Sequence, residues 1–182
     1  MTRTAPIGAS GLPSAVEVRR VRPSDAAHVR ALRLEMLADA PLAFLETVAQ
    51  AAVRSHADHV ARIAENSVGD LAAQFIAVAE DGRLVAHAGG TAIAEEPGVT
   101  VIFAAYVTPA WRGKGLVAAL VDAVGAWSRR VGRPDLMLEV VVGNDRAVRA
   151  YERVGFVDTG VRLPHPTIPA LTELQMRRPA LR

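Results

Sequence analysis

The sequence predicts an α/β fold in which a mixed, mainly antiparallel central sheet is flanked by helices. Three observations carry that prediction. Two runs rich in β-branched residues, "QFIAVAE" and "RLVAHAGGTAIA", are joined by Asp81-Gly82-Arg83, the chemistry of a tight hairpin turn. A further strand, "VTVIFAAYV", leads through Arg112-Gly113-Lys114-Gly115 straight into a helix. Beyond it "LMLEVVV" and "NDRAVRAYERV" read as strand and helix, so an antiparallel meander passes into a βαβ unit.

Taken in order, residues 1–14 are rich in Pro, Gly, Ser and Thr without periodicity and read as a flexible tail ahead of a single domain, 15–182. "VEVRRV" alternates as a strand does. Pro23-Ser24-Asp25 supplies a turn and an N-cap for a helix through "AAHVRALRLEML", with Val29, Leu32, Met36 and Leu37 near one face. Pro41 interrupts the pattern. A second helix is expected from about Thr47 to Glu65, turning Val53, Val60 and Ile63 inward. After the hairpin and the third strand, the spacing Leu116, Leu120, Val124, Trp127, Val131 marks a buried helix face. Gly155 is the expected left-handed stop of the last helix, and strands around "FVDTG" and "LTELQM" flank the proline-rich loop "LPHPTIP".

Composition narrows the function. A chain of 182 residues suits one ordinary domain, and 21 Lys+Arg against 19 Asp+Glu leave a net charge of only +2. That balance is too small for a nucleic-acid face, so no nucleic-acid partner is expected. The chain has no cysteine, which excludes disulfides, thiolate metal sites and a cysteine nucleophile and fits a cytoplasmic protein. No apolar run approaches the ~18 residues that span a bilayer, so no membrane partner is expected either. His56 and His59 are not read as a metal pair, and no metal site is expected.

The stretch Val107 to Leu120 carries chemistry. A strand that ends in a glycine-containing turn and enters a helix leaves unpaired N–H groups at the positive end of the helix dipole, which suits an anion. Gly113 and Gly115 let the backbone approach a phosphate with no Cβ in the way, and Arg112 and Lys114, the sole lysine, add charge. The plainer reading is a tight turn with solvated cations. The spacing is neither that of a P-loop nor that of a dinucleotide turn.

Downstream, Glu139 interrupts an apolar strand, Asn144 stands at its end and Tyr151 lies in the following helix. Val107-x-Pro109, then Arg112 to Val117 read as [RQ]-x-x-G-x-[GA], and Asn144 to Phe156 read as N-x-x-A-x-x-x-Y-x-x-x-G-F, resemble the GCN5-related N-acetyltransferase (GNAT) superfamily from about Ala73 to Phe156. The resemblance implies a GNAT-like acyl-CoA N-acyltransferase fold. It also implies transfer of an acetyl group from acetyl-CoA to a primary amine of a small molecule or peptide, by direct attack in a ternary complex. The pantetheine arm would lie along Phe103 to Val107, against Ala105, Tyr106 and Val107. The diphosphate would lie on Arg112, Gly113, Lys114, Gly115, Leu116 and Val117. Val117 stands where the family favours Gly or Ala, which implies crowding at the helix start.

Tyr151 is implied as the general acid, and Glu139 as the base, directly or through water; a structural ion pair or a rim position remains open for Glu139. Asn144 would serve as an N-cap and also hold the pantetheine side. Arg146, Arg149 and Arg153 read as an exposed cationic stripe. The acceptor cleft would be shaped by residues from Met36 to Val53 and by Pro164 to Pro169. A non-catalytic acetyl-CoA-binding sensor or regulatory module is the second reading, and a homodimer is compatible with either.

Overall fold

Seven strands form one sheet in the computed structural model, which describes residues 16–180; the tail expected at residues 1–14 lies outside them. The order along the chain is β1 (Val16–Arg20), α1 (Ala26–Asp39), α2 (Val48–Val53), α3 (His56–Val68), β2 (Ala72–Ala79), β3 (Leu84–Ala92), β4 (Val99–Val107), α4 (Leu116–Arg130), β5 (Asp135–Val141), α5 (Asp145–Glu152), β6 (Val157–Pro164) and β7 (Thr172–Arg178). Across the sheet the strands run β1-β2-β3-β4-β5-β7-β6. Every pair is antiparallel except β4 with β5, which the α4 crossover makes parallel.

Alternation decides which face each helix covers. Phe75, Ala77, Leu138, Val140, Leu174 and Met176 face the large core built on Leu116, Leu120, Val124 and Trp127 of α4. Ile76, on the opposite face of β2, packs with Val29 of α1 and Ile63 of α3, while Leu32, Met36 and Leu37 meet Ala51 of α2 and Tyr106. The result is a sheet between two helical layers.

One expected helix is two. Arg54 is extended, with φ −66° and ψ 131°, and Ser55 restarts the chain as the N-cap of α3 by accepting from the Asp58 amide. The break re-phases the second half. Ile63 is buried as expected, but Val53 and Val60 point outward, Val53 at 84% exposure, and His59 takes an inward place instead. Asp25 is also redirected. It precedes α1 but makes no side-chain cap; its carboxylate takes two hydrogen bonds from Arg19, at 2.7 and 2.9 Å.

Two irregularities in the middle of the sheet make room for a site. Strands β4 and β5 pair only from Val99–Asp135 to Val101–Met137, then part, leaving the rest of the β4 edge facing a gap. On its other side β4 bulges: His87 pairs with Tyr106 and Gly89 with Phe103, so Ala104 and Ala105 stand against one residue. Ala104 has φ 52°, and its carbonyl accepts from His87 Nδ1 at 2.9 Å. The Phe103 ring lies where a Cβ on Gly89 would sit, 2.2 Å away, so only glycine fits beneath it. Among the described residues no helix is long and apolar enough to cross a membrane.

Candidate functional site

A cleft of about 450 Å³ opens where β4 and β5 part, between the start of α4 and the face of α5. Its wall includes Ala105, Tyr106, Val107, Arg112, Gly113, Gly115, Leu116, Val117, Asn144 and Tyr151; of the residues the sequence singles out, Lys114 and Glu139 fall outside it. Gly113 and Gly115 both have positive φ, 75° and 79°, and Gly115 is the N-cap of α4. The start of α4 thus lies on the cleft wall, and the first turn of a helix leaves its N–H groups unpaired. Val117 packs in part against the main core while also lining the cleft, so its side chain is accommodated at the helix start.

The cations near the turn have partners within the protein. Arg112 donates from Nε to the Val107 carbonyl at 3.1 Å and from Nη2 to Asp39, and its guanidinium lies 5.8 Å from the centre of the Tyr106 ring. It fastens the end of α1 to the end of β4. Its charge is matched inside the protein, and the Val107 carbonyl is occupied. Lys114 stacks its Nζ 4.6 Å from the Trp111 ring. Arg146 and Arg153 do reach the cleft wall from α5, and both are exposed. Arg112→Ala and Asp39→Asn are each expected to lower Tm by a similar 2–4 °C for a pair worth about 1 kcal/mol, and the double variant to lose little more. Thermal unfolding of the four proteins checks the coupling, and additive losses would separate the two side chains.

Tyr151 sits where this cleft meets a second one of about 330 Å³, and Asn144 and Ala105 line both. The Tyr151 ring packs edge-on against Phe156 at 5.7 Å, and burial pushes its phenol up to about 12. It is therefore protonated at neutral pH, as a proton donor must be. Asn144 accepts from the Ala147 amide at 3.3 Å, which confirms its N-cap role. Tyr106 is buried, and its hydroxyl donates to Glu35 at 3.1 Å, away from α5.

Glu139 is exposed and lines the second cleft. The structure adds a residue that the sequence reading passed over: Glu173 on β7, in the same cleft and buried. Glu139 pairs with Gln175 and Val141 with Glu173, so the two carboxylates are diagonal neighbours on one face. Burial first, and the Glu139 charge second, raise the Glu173 carboxyl above its ordinary value, with His165 opposing. The His165 Nε2 lies 3.9 Å away, and its Nδ1 accepts from the amides of Thr167 and Ile168, which orients the ring. Alternation gives no signal for it: Glu173 shares the polar face of "LTELQM" with Gln175, and only the assembled sheet buries it, whereas Glu139 interrupts the apolar run "LMLEVVV".

A raised carboxyl pKa means that the folded state holds the proton more tightly than the unfolded chain. The stabilisation is present below the unfolded value and is lost as pH rises through the folded one. Glu173→Gln should therefore raise Tm relative to the parent protein at pH 7–8, with the difference shrinking toward pH 4. Melting curves across that range check it, and a difference independent of pH would remove the coupling to Glu173.

The Acetyltransferase (GNAT) family description matches residues 36–156. Aminoglycoside N(6')-acetyltransferase type 1 of Stenotrophomonas maltophilia is 32% identical over 157 residues, 81% of this chain and 90% of that protein. Mycothiol acetyltransferase of Nocardiopsis dassonvillei is 36% identical over 100 residues, 50% of this chain; the match spans 30% of that longer protein. In fold, the chain superposes on yncA from Salmonella typhimurium, solved with acetyl-CoA, with a TM-score of 0.73 at 17% identity over 93% of this chain and 96% of that one. With a match over most of its length and a relative aligned nearly end to end, the chain belongs to the GNAT family of acetyltransferases.

Proposed function

We propose that this chain is an acetyl-CoA-dependent N-acetyltransferase acting on the amine of a small molecule by direct attack in a ternary complex. The observation that carries the reading is Tyr151: a phenol held protonated where a cleft floored by helix-terminal amides meets a cleft bearing two carboxylates. When bound, acetyl-CoA supplies the acyl group as a thioester. The chain's own residues do the rest. The amides at the start of α4 suit the diphosphate, and the unpaired β4 edge from Ile102 to Tyr106 suits an amide-rich arm that lies as an added strand.

An ammonium has no lone pair, so the acceptor must lose a proton before attack. Glu139 and Glu173 stand in the acceptor-side cleft to take it, directly or through a water, and burial raises the Glu173 carboxyl above its ordinary value. The proton that the departing sulfur needs is on Tyr151 Oη. Relatives named for aminoglycoside and mycothiol acetylation support a small-molecule acceptor over a peptide. With no cysteine in the chain, we place the reaction in a reducing compartment, the cytoplasm.

Acetyl-CoA at a hundredfold excess over its Kd should stabilise the fold by about 2.7 kcal/mol, a rise in Tm of roughly 5–10 °C for a domain of this size. Thermal melts with and without the coenzyme measure it, followed by CoA release across an amine panel. No shift at millimolar coenzyme would overturn the reading. A shift without CoA release from any amine would favour the sensor alternative.

A further inference from the structure

The acceptor-side cleft is bipolar. Among the described residues its one basic wall residue is Arg33 of α1, and its acidic ones are Glu139 and Glu173. Behind Arg33, Phe103 and Ala104 the cleft adjoins a side cavity of about 90 Å³, enclosed by α1, α3 and the β3–β4 bulge. Three arginines line that cavity, Arg33, Arg54 and Arg62, against a single carboxylate, Glu46. Glu46 is fully engaged: one oxygen accepts from Arg33 at 2.9 and 3.0 Å, and the other accepts from Arg54. Arg62, exposed overall while lining the cavity, makes no ion pair or hydrogen bond among the described residues, and desolvation and the Arg54 charge both press on its guanidinium.

The polar floor of the cavity is also unfilled. His59 Nε2, His87 Nε2 and the Gln74 side-chain oxygen are buried and have no partner, and all three residues line this space, each more than nine-tenths buried. His87 must donate through Nδ1 to the Ala104 carbonyl, so its Nε2 is an acceptor. Burial holds both imidazoles below their ordinary values, with His87 at about 4, so the surplus charge here is that of the arginines. Buried polar atoms left without partners cost stability unless a ligand or water meets them. The arginine surplus calls for negative charge, while the His87 and Gln74 acceptors call for a donor, which a water carried in with an acid group supplies.

We propose that the acceptor is an amine that also carries an acid group, its ammonium end drawn to Glu139 and Glu173 and its acid group seated in the side cavity on Arg33 and Arg62. The proposal rests on reading the bipolar cleft as the acceptor site. It separates acid-bearing amines, such as amino carboxylates and amino phosphonates, from polycations, which Arg33 and Arg62 repel. Glu46 sets the charge of the cavity: it balances one arginine of the three and leaves the excess that the acid group meets.

The experiment measures kcat/KM by CoA release for a panel of amino carboxylates and amino phosphonates, each beside its uncharged carboxamide or ester, together with spermidine and kanamycin. The acid-bearing members should exceed their uncharged counterparts roughly tenfold or more, the order of a charge-assisted hydrogen bond. Arg62→Met should bring that ratio toward one. Arg33→Met should do the same, and Arg62, with no partner to lose, keeps the test open if Arg33→Met fails to fold. Equal or better use of the uncharged counterparts or the polycations overturns the proposal and leaves the acetyltransferase reading standing. If no amine is acetylated, that reading fails, and calorimetric titration of the same pairs into the CoA-bound protein decides the cavity alone: binding of the acid-bearing member that Arg62→Met abolishes upholds it, and no binding overturns it.

Discussion

Tyr151→Phe is expected to lower kcat by roughly 10²- to 10⁴-fold, the usual worth of general acid catalysis, with acetyl-CoA affinity nearly unchanged. The substitution removes one hydroxyl and keeps the ring that packs edge-on against Phe156, so the fold and the cleft wall are preserved. The same burial that pushes the phenol up to about 12 keeps the proton on oxygen until something more basic than water arrives. A departing thiolate is such a partner. Rapid-quench or steady-state rates under conditions where chemistry limits turnover provide the test, with coenzyme binding measured separately. Wild-type kcat in the variant would move the proton source to solvent.

Gly115→Val should raise the acetyl-CoA Kd at least about tenfold, the second large effect. At φ 79° a β-branched residue meets the full left-handed penalty of ~1–2 kcal/mol, and relaxing it rotates the amides at the start of α4. A loss of 1.4 kcal/mol in binding is already tenfold. The loss appears in binding and in kcat/KM at low coenzyme, while kcat at saturation recovers in large part. Isothermal titration against the parent protein is decisive, and unchanged affinity would place the diphosphate away from this turn.

Local chemistry made most of the architecture legible. The hairpin at Asp81-Gly82, the β4 strand, the apolar stripe of α4 and the Asn144 cap each depend on neighbours within one turn or one strand, and each is where the pattern placed it. The break at Arg54 was written in Ser55 and Asp58, a capping pair that the run of apolar residues masked. What periodicity cannot give is long-range partnership. Arg112 meets Asp39 across 73 positions, a contact within the protein that no local pattern announces. Glu173 gains its basicity from burial beside a strand remote in sequence, and the arginines of the side cavity come from α1, α3 and the break between α2 and α3. Such features exist only once the sheet has assembled.

The parting of β4 from β5 also bears on how the molecule holds together. Three residue pairs are the whole backbone ladder between the four-stranded wing β1–β4 and the three-stranded wing β5–β7–β6. Beyond them, the wings are joined chiefly by the side chains of α4, whose stripe packs on both. A seam so short is the natural place for the two wings to hinge and breathe, and any extended ligand laid into it becomes a missing rung. An extended ligand held there would lend the seam a rung it lacks, and the loaded protein is expected to unfold more cooperatively than the empty one.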